Sequence, residues 1–119
     1  MKVKICGITD VDAALAAVDF GADAIGFVFA KSKRKIDVVN ARNIAAELPS
    51  EIMKVGVFVN ETKEEIERIG REVGLTHVQL HGNESAEFSK SLSLPVIQEL
   101  VFIGGGTGGS TGKKTLCTI

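Results

Sequence analysis

Short apolar runs alternate along this chain with longer stretches whose apolar positions recur every third or fourth residue, the rhythm of strand followed by helix. Val3–Ile5, Ala24–Phe29, Val55–Val59 and Val78–Leu80 read as strands, and Pro95-Val96-Ile97 opens a fifth. The second run is apolar on both faces, as a strand covered on both sides should be. Helical stripes fill the intervals. Thr9 and Asp12 have capping-box spacing around Val11, Ala14, Leu15 and Val18, with Gly21 as terminator. A second helix from about Asp37 presents Ala41, Ile44, Ala45 and Leu48 and stops at Pro49. Thr62 and Glu65 repeat the capping box before Ile66, Ile69 and Val73, closed by Gly74, and a short helix after Ser85 turns Phe88 and Leu92 inward.

Strand starts recur a little over about twenty residues apart with a helix in each interval, which is a parallel βα repeat. Right-handed crossovers let such a repeat stay open as a doubly wound sheet or curl into an eight-stranded barrel. Eight units of this period need roughly 180 to 200 residues, whereas the chain has 119. The expected fold is therefore α/β, a truncated TIM (β/α)8 barrel of about four and a half βα units over residues 1–100. The rival is an open flavodoxin-like sheet serving as a non-catalytic small-molecule binding module; strand order separates them, with strand one lying inside the open sheet. From about Leu100 the chain turns into Gly104-Gly105-Gly106-Thr107-Gly108-Gly109-Ser110-Thr111-Gly112-Lys113-Lys114, and residues 101–119 read as a Gly-rich tail that is either disordered or a non-native end. A barrel piece would expose its first and fifth strands as edges, with Lys2 and Lys4 guarding the first. It would also turn Ile5, Val57 and Leu80 toward the uncompleted side, so self-association is expected.

The 45% hydrophobic content suits a packed body, and a net charge of −1 gives no reason to expect nucleic acid or an anionic membrane as partner. A small molecule is the better expectation. No apolar run reaches about 18 residues, and Met1-Lys2-Val3-Lys4 leads into a strand rather than a signal-peptide core, so a cytoplasmic protein is expected. The two cysteines, Cys6 and Cys117, stand at opposite ends, and Cys6 reads as a thiol rather than half of a disulfide.

Successive strands hand chemistry to one edge of the sheet: Cys6-Gly7-Ile8-Thr9-Asp10, then Lys31-Ser32-Lys33-Arg34, then Asn60, then His81-Gly82. A lone cysteine beside a strand is often a small core residue. A thiol at a strand's carboxyl end, next to a helix N-terminus, can instead serve as base or nucleophile. Lys31–Lys35 is either a solvated basic loop or an anion site in which Arg34 grips a carboxylate with two bonds. His81 shares a strand face with Gln79 and His77, so it can reach a ligand while Val78 and Leu80 face helices. Gly104, Gly106 and Gly109 fit a dinucleotide pattern, but no helix follows to meet a pyrophosphate. A phosphate-loop reading fails too, because Thr107 and Lys114 stand at its required positions.

Lys4-Ile5-Cys6-Gly7-Ile8-Thr9, Gly26-Phe27-Val28-Phe29, Ser32-Lys33-Arg34, Gly56-Val57-Phe58-Val59-Asn60 and Val78-Gln79-Leu80-His81-Gly82, in this order, resemble the phosphoribosylanthranilate isomerase family of tryptophan biosynthesis. The resemblance implies a (β/α)8 barrel, an aldose–ketose isomerase acting on a phosphosugar by an Amadori rearrangement without cofactor or metal. It implies Cys6 as general base, Arg34 as the holder of the anthranilate or the substrate, and His81 near the same pocket. The family's general acid is an Asp at the end of strand six, and its phosphate site lies in the loops after strands seven and eight. This chain has no Asp after Pro95, and Gly108–Lys113 resembles the family's loop after strand six without the strand before it. The expectation is a chain carrying the base without the acid, inactive alone.

Overall fold

Strand and helix alternate without interruption from Val3 to Ile97 in the computed structural model, which describes residues 3–31, 33 and 35–97 and the backbone of 114–116. The elements are β1 (Val3–Cys6), α1 (Val11–Phe20), β2 (Ala24–Val28), α2 (Val38–Glu47), β3 (Met53–Phe58), α3 (Lys63–Val73), β4 (His77–Leu80), α4 (Ala86–Ser91), β5 (Val96–Ile97) and β6 (Lys114–Leu116). Every pairing is parallel, and the order across the sheet is β5-β4-β3-β2-β1-β6. Consecutive strands are neighbours, as in a barrel. The flavodoxin-like order, which would set β1 between β2 and β3, is not adopted. Of the tail 101–119, only Lys114–Leu116 falls within the described residues, and it lies beside β1. Ser32, Arg34, Glu99 and Cys117 lie outside them.

All four helices cover one face. Ile25, Phe27, Phe58 and Val78 of the strands join Ala14, Ala41, Ile44, Ile66, Ile69 and Leu92 in the main cluster, and each fully buried large side chain contributes about 1.5–3 kcal/mol of transfer free energy. The opposite, inner face gathers Cys6, Val28 and Val57, with Ala30 against them. Side-chain parity along a strand then sorts the expectations. Val57 faces inward and Leu80 faces the helices, as the parity of β4 with inward Gln79 and His81 requires, whereas Ile5, expected on the uncompleted side, packs against the helix-side cluster. On α1 the small Ala14 and Ala17 meet the sheet, leaving Leu15 40% exposed.

Two local expectations are revised. Asp10 rather than Thr9 caps α1, its Oδ1 accepting from Ala13 N at 2.7 Å. Lys4 does not guard an edge, because β6 pairs along β1 and the Lys4 side chain is buried, its ammonium donating to Gln79 Oε1. At α3, Thr62 Oγ1 accepts from Glu65 N at 3.2 Å as expected, while the Glu65 carboxylate turns to Arg68, 2.7 Å away. Among the described residues no helix is long and apolar enough to cross a membrane.

Candidate active site

Cys6 is the last residue of β1 and is 6% exposed. The next residue, Gly7, has φ 81°, a left-handed turn that favours glycine, and it swings the chain away from the sheet. Gly7 N and Ile8 N both donate to Gly26 O, at 3.1 and 3.4 Å, which pins the loop to β2. Gly26 is also the register partner of Cys6. A β-carbon at Gly26 would lie 2.5 Å from Cys6 Sγ, so the sulfur occupies space that any other residue would fill. Val28, Val57 and Ala30 pack around it, and a thiolate placed here calls for a nearby positive charge. The N-terminus of α1 is not spare for that purpose, since the Asp10 carboxylate already occupies its first turn.

His81 immediately follows β4 and is half-buried on the same face and at the same end of the sheet. Its N–H donates to Phe58 O at 2.9 Å, extending the pairing of β4 with β3. The loops after β3 and β4 are locked together around Asn60, whose φ is 50°. Asn60 N donates to Glu84 Oε2 at 2.6 Å, and Asn83 N donates to Asn60 Oδ1 at 2.9 Å. Gly82 lies so close that a β-carbon there would collide with the Asn60 side-chain amide. Asn60 is therefore placed as a fastener between loops.

Arg34 lies outside the described residues; its neighbours Lys31, Lys33 and Lys35 are exposed. Lys31, Lys35 and Glu61 line a cavity of about 380 Å³ together with Phe29 and Phe58, whose rings stack with centroids 5.3 Å apart and belong to the helix-side packing rather than to the inner face that holds Cys6.

The pattern of strand ends overlooked a buried polar pair one step below them. Lys4 and Gln79 are 6% and 2% exposed and hydrogen-bonded across the inner face. The signal was present as two polar residues on inward positions of otherwise apolar strands. Among the described residues no group of three or more His, Cys, Asp or Glu is arranged to hold a metal ion.

Comparison with known proteins agrees with this geometry. The family model for N-(5'phosphoribosyl)anthranilate (PRA) isomerase matches residues 3–104. The chain is 57% identical over 100 residues to N-(5'-phosphoribosyl)anthranilate isomerase of Bacillus cereus, covering 84% of this chain and 49% of that relative. A crystal structure of phosphoribosyl anthranilate isomerase in complex with reduced 1-(o-carboxyphenylamino)-1-deoxyribulose 5-phosphate aligns with TM-score 0.79 and 48% identity, over 81% of this chain and 51% of that one. The enzyme from Thermotoga maritima aligns with TM-score 0.79 and 48% identity, over 81% and 48% of the two chains. The chain thus spans about half the length of the relatives it matches.

Proposed function

The chain belongs to the phosphoribosylanthranilate isomerase family, and from that membership we propose that it carries the base-bearing half of an active site for the Amadori rearrangement of N-(5-phosphoribosyl)anthranilate, in the cytoplasm and within tryptophan biosynthesis. The observation that carries the reading is the seat made for Cys6 Sγ by Gly26 at the carboxyl end of β1. Protonation of the ribose ring oxygen opens the ring to a Schiff base. The Cys6 thiolate then removes the proton from C2′, and the enolamine becomes the ketone as C1′ gains a proton and the C2′ hydroxyl loses one. A thiol suits this step because it titrates closer to neutrality than a hydroxyl and can take up a carbon-bound proton. Arg34 holds the anthranilate carboxylate, and His81 lines the same pocket from β4. The substrate class is a phosphosugar, in keeping with the product-like ligand bound by one relative.

The family's acid and phosphate loops belong to strands six to eight, for which no counterpart is assigned in the described residues. The test is conversion of N-(5-phosphoribosyl)anthranilate by the purified chain, alone and mixed with a polypeptide supplying the last three βα units of a relative. Turnover is expected only from the mixture. Turnover by the chain alone would mean that acid and phosphate site lie within these residues; a stable but inactive mixed complex would overturn the assignment.

A further inference from the structure

Among the described residues Lys4 is the only lysine or arginine buried on the inner face, and the rearrangement as proposed gives it no task. Its hydrogen-bond partner among the described residues is a neutral amide, Gln79 Oε1. The ion pairs among the described residues are those of Arg68 with Glu65 and Glu72, so no carboxylate among the described residues pairs with this ammonium. Desolvating a cation against a single amide is costly, and such groups concentrate where their charge has a use.

Its surroundings point to that use. Cys6 is the next inward residue of β1, about 7 Å along the strand. The inward positions of β2 are Ala24, Gly26 and Val28 and those of β3 are Met53, Val55 and Val57, none of them titratable. β4 contributes His77, whose Nδ1 lies 2.8 Å from Thr76 Oγ1, and His81. Among the described residues Lys4 is therefore the buried positive charge of this face, and Gln79 keeps it from swinging out past the start of β1. The same bond sets two strands in register. Direct pairing runs level through Cys6, Gly26, Val55 and His77, and the stagger of tilted strands lowers β4 relative to β1, so that Gln79 meets Lys4. Cys6 and His81, each two residues further on, then stand at matching heights.

We propose that Lys4 is a positioning residue acting through Cys6: held on the inner face by Gln79, its ammonium stabilises the Cys6 thiolate and, through the same bond, levels Cys6 with His81. The proposal rests on reading Cys6 as the base but is tested without turnover. The probe is the ionisation midpoint of Cys6, followed by carbon-13 NMR of its β-carbon in the 119-residue chain from about pH 5 to about pH 10, which brackets an ordinary thiol titration. Lys4→Met should raise the midpoint by about one unit, lowering the thiolate fraction about tenfold near neutrality. Lys4→Arg should keep it at the wild-type value. Coincident midpoints for wild type and Lys4→Met would overturn the proposal, as would a Lys4→Arg midpoint raised to that of Lys4→Met. Should Lys4→Met fail to fold, Gln79→Met decides: a raised midpoint supports the tether and an unchanged one overturns it. Failure here would leave the base assignment standing, since that is read separately from the turnover of a Cys6→Ser enzyme.

Discussion

Cys6 and Gly26 face each other in adjacent strands, and a β-carbon at Gly26 would lie 2.5 Å from the Cys6 sulfur, 3.1 Å from its Cα and 3.2 Å from its Cβ. Rotating the thiol cannot relieve that crowding, because the backbone of β1 is part of it. Gly26→Ala should therefore destabilise the fold by about 1–3 kcal/mol, the usual range for overpacking, and displace the thiol as well. Urea denaturation of the variant measures the first effect; an unchanged midpoint would mean that β1 and β2 part freely at this point.

The bond from Asn60 N to Glu84 Oε2 joins the loops after β3 and β4, and Asn83 N returns a second bond to Asn60 Oδ1. A hydrogen bond of this solvent-exposed kind typically contributes about 0.5–1.5 kcal/mol. Glu84→Ala should speed amide exchange at both Asn60 and Asn83 while leaving the strand amides of β2 slow. Equal protection in the two proteins would show that the loops hold without this carboxylate.

Glu67 on α3 accepts from the Ser93 hydroxyl and from Ser93 N at 2.7 Å. The hydroxyl first, then the N–H, hold its carboxyl below the usual carboxylate range. A lowered folded value stabilises the fold above the ordinary pKa of about 4.3, and the contribution fades as pH falls through the folded value. Glu67→Gln should thus melt below wild type near neutral pH, with the gap closing as pH drops below about 4. A gap independent of pH would assign the tie to shape rather than charge.

Much of the fold was legible because each strand run of this chain ends in a residue that cannot continue it, such as Gly7 or Asn60, and each main helix stripe in Gly21, Pro49 or Gly74. Cys6 and His81 could be placed at one edge by the same logic, since parallel strands all finish on one side. What failed was parity and context. Ile5 falls on a helix-side position, which depends on which residue of a short strand is the first to pair, whereas the parity that sends Leu80 to the helices with Gln79 inward is the one adopted. Asp10 displaced Thr9 as the cap because α1 starts one residue later than the capping-box spacing suggested. Lys4 read as an edge guard because nothing local announces β6 beside β1 or Gln79 across the inner face.

Among the described residues Val96 and Ile97 pair only with β4, so the outer side of β5 offers backbone groups to another strand. Sedimentation of the chain should show mass rising with concentration. The rise should disappear when a polypeptide carrying the later βα units of a relative is added. A monomer at every concentration would show that this edge is already covered.

The central claim, that Cys6 is the base, is tested most directly by turnover of N-(5-phosphoribosyl)anthranilate in the two-polypeptide mixture with Cys6→Ser set against Cys117→Ser. Serine keeps the shape but is too weakly acidic to act in place of the thiol, and loss of a general base commonly costs about 10²–10⁴-fold. The account expects a loss of that size for Cys6→Ser and none for Cys117→Ser; normal turnover by Cys6→Ser would contradict it.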